Sequence, residues 1–221
     1  PLVHRLEQAF LRQAESLPRQ SRHLLLTAAA EPVGDVPLLW RAAERLGIAT
    51  EAATAAEAAT AAEAAGLIEL HDGVRFRHPL VRSAVYRSAT PADRRAVHRA
   101  LAEVTDAETD RDRRAWHRAC AAVGPDEAVA ADLERSADRA LSHGGLAAAA
   151  AFLDQAAALT PDPARRVQRL LQGAQAKVHA GAFHDALALL ATAEAGPLGE
   201  AERARVELLR AKYLPQRMTQ A

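Results

Sequence analysis

The stretch from Gly66 to Tyr86 constrains the fold more than any other, because there an otherwise alanine-rich helical sequence breaks its period. The apolar run Leu67 to Leu70, the turn residues His71, Asp72 and Gly73, and the alternating Val74, Arg75 and Phe76 predict a β-hairpin with Asp-Gly at its tip. On both sides apolar residues recur at helical spacing. Hydrophobic residues make up 49% of the 221, alanine being the commonest, and only 4% are aromatic, which favours closely packed helices over a β-sandwich. The expected class is therefore mainly α with one short hairpin.

Upstream, Leu6, Phe10 and Ala14 mark a first helical face, and Pro18 ends it before a second helix over 19–30, in which Leu24, Leu25 and Leu26 are expected core. Gly34 and Asp35 supply a turn and an N-cap for a third helix that carries Leu38, Leu39, Ala42, Ala43 and Leu46 and closes at Gly47. From Glu51 the sequence repeats with a period of six, which rotates the glutamates around a helix and leaves no fixed charged face. Helices followed by a hairpin outline a winged helix, expected over 19–107. The last helix before the hairpin holds three glutamates and neither lysine nor arginine, so it repels phosphates.

After the hairpin, Pro79 opens one helix and Thr90, Pro91 and Asp93 cap the next. The acid–base mixture from Thr105 to Arg114 reads as a solvated connection, with a domain boundary near residue 108 and a further break at Gly124-Pro125. Gly144, Leu146, Ala149, Leu153 and Ala156 then align with Gly181, Phe183, Ala186, Leu190 and Ala193 at a constant shift, Pro161 having no counterpart. Small residues recur where helices approach closely, as in tetratricopeptide-like repeats, expected over 108–221 and incomplete; Leu133 and Leu170 fill the position where a tryptophan is common.

The formal net charge is zero, so no global field draws nucleic acid or anionic membrane. A single cysteine, Cys120, excludes an internal disulfide and suits a reducing, cytoplasmic setting, and no apolar run is long enough to span a membrane. No P-loop, nucleophile elbow, H-E-x-x-H or C-x-x-C occurs, so neither a catalytic nor a metal site is expected. His117 and Cys120, three apart, read as a structural pair rather than a metal site, and His179 and His184 as helix-end polar residues. From Arg75 to Arg99 seven arginines face one acid, Asp93, which fits a solvated basic face, a DNA-backbone contact or a surface turned to the phosphates of a nucleotide. His78, between the hairpin and Pro79, is either a phosphate contact or a helix cap.

Phe76 to Tyr86 (FRHPLVRSAVY), with Leu17 to Ile48 upstream, resembles the middle of large ATP-binding LuxR-family transcriptional regulators of the STAND class of NTPases. The likeness covers residues 1–120 well and the repeats more loosely. It implies that 1–18 is the tail of an ATPase module, that a winged helix and the start of a tetratricopeptide-like sensor follow, and that the chain is an internal part of a longer polypeptide. It implies ATP or ADP in an NTPase domain outside this chain, an effector on the repeats, and DNA contact through a C-terminal helix-turn-helix, also outside it. By the same resemblance His78, with Arg75 and Arg77, faces the nucleotide phosphates. The surrounding residues are not the Met-His-Asp of the animal and plant relatives. The expected role is regulatory and non-enzymatic: nucleotide state coupled to a helical sensor. The alternatives are a winged helix that binds DNA directly and a tetratricopeptide-type interaction scaffold.

Overall fold

A computed structural model describes residues 2–31, 33–48, 52–71 and 73–213. Among these the chain is mainly helical, its one sheet being a two-stranded antiparallel hairpin. It forms two compact units, Pro1–Ala121 and Ala122–Ala221.

In the first unit, α1 (Leu2–Glu15) and α2 (Arg19–Ala30) are separated at Pro18, whose ψ of 150° is extended. Leu24, Leu25 and Leu26 are all buried, as their run predicts. The Asp35 carboxylate accepts the Leu38 N–H at 2.9 Å and starts α3 (Val36–Arg45), with Pro37 in the first turn. Helix α4 (Ala52–Ala64) buries Ala58, Ala59 and Ala62 along one seam and packs on α2. Its sixfold period therefore still gives a usable apolar face, because small alanines need only a narrow stripe. Glu51, where the repeat begins, lies outside the described residues.

Strands β1 (Ile68–Leu70) and β2 (Val74–Phe76) pair Ile68 with Phe76, Glu69 with Arg75 and Leu70 with Val74. The pleat turns Ile68 into the core and Glu69 and Arg75 outward. Gly73 is described; Asp72, the other half of the expected tip, is outside the described residues. The hairpin is fastened from two sides. Glu63, at the end of α4, accepts the Leu70 N–H at 2.7 Å, and the Gly34 carbonyl accepts the Val74 N–H at 2.9 Å. Gly34 has φ of 77°, and a Cβ there would sit 2.6 Å from the Val74 carbonyl oxygen, so only glycine fits this approach.

Helices α5 (Pro79–Ser88), α6 (Pro91–Val104) and α7 (Arg111–Ala121) complete the unit. The Thr90 hydroxyl oxygen accepts the Asp93 N–H at 3.1 Å, the expected cap of α6. Leu25, Leu26, Leu38, Leu67, Ile68, Val81 and Leu101 form the main core, and Phe10, Ala14 and Leu17 pack into it. By compactness α1 and α7 both belong to the first unit, and the second begins at Ala122.

The second unit is built from α8 (Glu127–Ser142), α9 (Leu146–Leu159), α10 (Pro163–His179), α11 (Phe183–Glu194) and α12 (Glu200–Tyr213), with each of α8 to α11 packed on the next. The repeated positions are core: Ala149, Leu153 and Ala156 in α9, and Ala186, Leu190 and Ala193 in α11, are all buried. Leu133 and Leu170 are buried too, whereas Phe183 is 38% exposed. Gly144 and Gly181 close the two helix pairs in the same way. Their φ values are 76° and 78°, and the next N–H bonds back five residues, Gly145 to Ala140 and Ala182 to Lys177, both at 2.8 Å.

Candidate functional site

His78 leaves β2 in an extended conformation, φ −141° and ψ 135°, and its Nδ1 accepts the Leu80 N–H at 3.1 Å. It is thus the N-cap of α5. Its exposed ring lies against Phe10 of α1, with centroids 5.7 Å apart. Because Nδ1 accepts, the neutral ring carries its proton on Nε2, which is left as a donor for a further partner. Capping and ligand contact are compatible at this residue.

The basic stretch does not form one patch. Arg77 pairs with Glu69 at 3.2 Å, and Arg75 stands opposite the same glutamate in the hairpin register. Arg82 Nε donates to the Ala29 carbonyl at 3.0 Å, satisfying the end of α2. Arg87 pairs with Glu7, and Arg94 lies 5.6 Å from the centre of the Tyr86 ring. Four of the seven arginines are therefore committed to partners within the unit.

The densest polar chemistry joins residues that no sequence spacing links. Glu31, just past α2 and 3% exposed, accepts three hydrogen bonds. Oε1 takes the Val33 N–H at 2.8 Å; Oε2 takes Arg113 Nε–H at 2.8 Å and His117 Nε2–H at 3.2 Å. His117 Nδ1 is 2.9 Å from His98 Nδ1, and His98 Nε2 is 2.7 Å from the Tyr86 hydroxyl. Arg113 also reaches Asp35 at 3.5 Å and Asp110 at 3.8 Å. Residues from the α2–α3 corner, α5, α6 and α7 meet in one buried chain.

The order of donors assigns the protons. A carboxylate only accepts, so Nε2 of His117 carries hydrogen and Nδ1 of the neutral ring accepts. His98 must then donate from Nδ1, which leaves its Nε2 to accept from Tyr86. Every bond points from Tyr86 toward Glu31. Burial opposes the Glu31 charge, but the hydrogen bonds from His117, Arg113 and Val33 outweigh it and hold the carboxyl below its usual range. Burial first, and the neighbouring His117 second, push His98 down to about 4, while burial followed by Cys120 raises the Tyr86 hydroxyl. Glu31, His98 and His117 are at most 3% exposed, so their bonds tie the helices together from within. This buried chain is a brace.

His117 spends both ring nitrogens on Glu31 and His98, so it is not paired with Cys120, whose thiol burial pushes up to about 11. His179 ends α10 and His184 lies in the first turn of α11, as their spacing suggests. Among the described residues no three His, Cys, Asp or Glu side chains are grouped to hold a metal, and no helix is long and apolar enough to cross a membrane. In the second unit the principal polar cluster is Arg169, 3% exposed, which bonds Glu127, Glu134 and Thr160 at 2.6 to 3.1 Å and fastens α10 to α8. Comparison with protein-family models, curated proteins and solved structures gives no match.

Proposed function

We propose that the chain is a regulatory segment of an ATP-dependent bacterial transcriptional regulator of the LuxR-family STAND type. Its first unit acts as a winged helix that packs in two ways against an NTPase domain of the same polypeptide, outside this chain, and its second unit is a tetratricopeptide-like sensor. His78 carries most of the weight: it is exposed at the junction of hairpin and α5, and its Nε2–H is the natural donor to a nucleotide phosphate. The hairpin fastened to Gly34 and Glu63, and the helix pairs closed at Gly144 and Gly181, support the winged-helix and repeat assignments. The segment itself performs no catalysis. It couples ADP or ATP state to an effector on the repeats, and DNA contact belongs to a helix-turn-helix outside this chain.

In the full-length protein, His78→Ala should lower the ADP that co-purifies and raise basal transcription. Unchanged nucleotide occupancy refutes the phosphate-contact role. Direct DNA binding by the winged helix is favoured by the exposed Arg75 and Arg99 and opposed by the commitment of four neighbouring arginines and by Glu57 on α4. A duplex gel shift of this chain at low salt separates the two, because a salt-sensitive shift requires a phosphate-binding face. Partner binding retained by residues 122–221 alone would instead favour an interaction scaffold.

A further inference from the structure

A cleft of about 370 Å3 opens in the first unit between the C-terminal half of α1, the N-terminal half of α2 and the α5–α6 corner. Its floor is apolar, made by Leu11 with the buried Leu25, Leu26 and Val85. Along its α2 edge stand Arg19, Arg22 and His23. Among the described residues neither guanidinium is ion-paired or hydrogen-bonded. Two acids also line the cleft and leave this edge uncompensated: Asp93 already accepts the Thr90 hydroxyl at 2.7 Å, and Glu15 pairs with neither arginine. Among the described residues, Arg77, Arg82, Arg87 and Arg113 each have a carboxylate or carbonyl; Arg19 and Arg22, like Arg95 and Arg99, do not, and of these four only Arg19 and Arg22 line the cleft.

We propose that this cleft binds a small amphiphilic carboxylate, its carboxylate at Arg19 and Arg22 and its hydrocarbon on Leu11, Leu26 and Val85. A guanidinium offers parallel N–H donors that match a carboxylate, and the volume lies at the small end of ligand pockets. Bare phosphate would leave the floor uncovered. A nucleotide base would find no Phe, Tyr or Trp ring there, the one ring of the lining being the His23 imidazole. Bound charge also changes His23: burial, then the Arg19 charge, hold its pKa below the ordinary value, with Arg22 acting in the same direction and Asp93 in the opposite one. An anion at this edge raises it again, so binding takes up a proton. The inference does not depend on the nucleotide-coupled role proposed above.

The test is a titration of the 221-residue chain with sodium octanoate, followed by amide and imidazole NMR, with octan-1-ol and inorganic phosphate as controls. Octanoate should saturate with Kd at or below about 1 mM, shifting α2 and the α5–α6 corner, and each control should bind at least about tenfold more weakly. Arg19→Gln with Arg22→Gln should raise Kd about tenfold, whereas Glu15→Gln should tighten binding, and His23 should titrate at higher pH in the complex. All three substituted side chains are exposed, so the fold is retained. Octanol binding as tightly as octanoate, an unmoved Kd in the double arginine variant, or shifts confined to other helices would each overturn the proposal.

Discussion

Acid should loosen the first unit well before its carboxylates titrate, and His98 sets the size of the effect. The folded ring is held near about 4, against the ordinary 6.5 of an unfolded histidine. Between those values the unfolded chain binds a proton that the folded chain refuses, so stability is full above the unfolded pKa and falls as pH drops toward the folded one. The slope reaches about 1.4 kcal/mol per pH unit, giving a loss of about 2 kcal/mol between about pH 7 and about pH 5. Glu31 adds nothing in that interval. Its folded pKa is depressed, so its contribution is lost only as pH falls below the ordinary 4.5.

Both tryptophans, Trp40 and Trp116, lie in the first unit, so urea unfolding followed by tryptophan fluorescence reads this unit alone. The wild-type midpoint should fall steeply from pH 7 to pH 5. His98→Gln keeps a donor and an acceptor but cannot titrate; it should be less stable at pH 7 by about 1–3 kcal/mol and lose most of the slope. A flat wild-type profile over this range, or an equal slope in His98→Gln, refutes the assignment of His98 as a neutral, buried link.

Two substitutions test the fastenings elsewhere. Gly34→Ala places a methyl against the Val74 carbonyl at a left-handed φ, and should cost about 1–3 kcal/mol in the same fluorescence assay, with loss of amide-exchange protection at Val74. Arg169→Ala leaves Glu134 without its guanidinium and Glu127 with Arg165 alone in the second unit; because both are about a third exposed and can rehydrate, the cost should be about 2–3 kcal/mol, below the full penalty for a broken buried pair, read by far-UV circular dichroism with no change in tryptophan fluorescence.

The features legible in the sequence were local ones. Pro18, Asp35, Gly47, Thr90 and Pro79 mark helix ends through their own backbone and side-chain chemistry, and the structure puts ends there. The hairpin and the paired Gly144 and Gly181 turns were legible for the same reason. The brace was not, because Glu31, Tyr86, His98 and His117 are far apart in sequence and no spacing links them. A weaker signal was present. His98 follows Val97 and precedes Ala100 and Leu101 on the buried stripe of α6, and His117 lies between Ala115 and Ala119 on that of α7, so both were histidines on apolar faces. The stretch 105–114 reads as a solvated connection because of its charge density. There Arg113 instead reaches inward to Glu31, and Arg114 Nε donates to the Ala102 carbonyl at 3.3 Å.

The same residues explain why a helix so poor in large apolar side chains stays in place. Of the apolar residues of helix α7 only Ala115 and Ala119 are fully buried, with Trp116 and Cys120 half-buried beside them, and at about 0.8 kcal/mol for each buried carbon the two alanines supply under about 2 kcal/mol. Polar bonds from His117 and Arg113 to Glu31 also hold α7, and one proton arriving at His98 removes its Nε2 as the acceptor for Tyr86 and sets two donors facing each other. In a unit whose other helices are clamped by Leu25, Leu38 and Leu101, α7 is thus held by polar bonds as well as by area, and protonation of His98 weakens the first without touching the second.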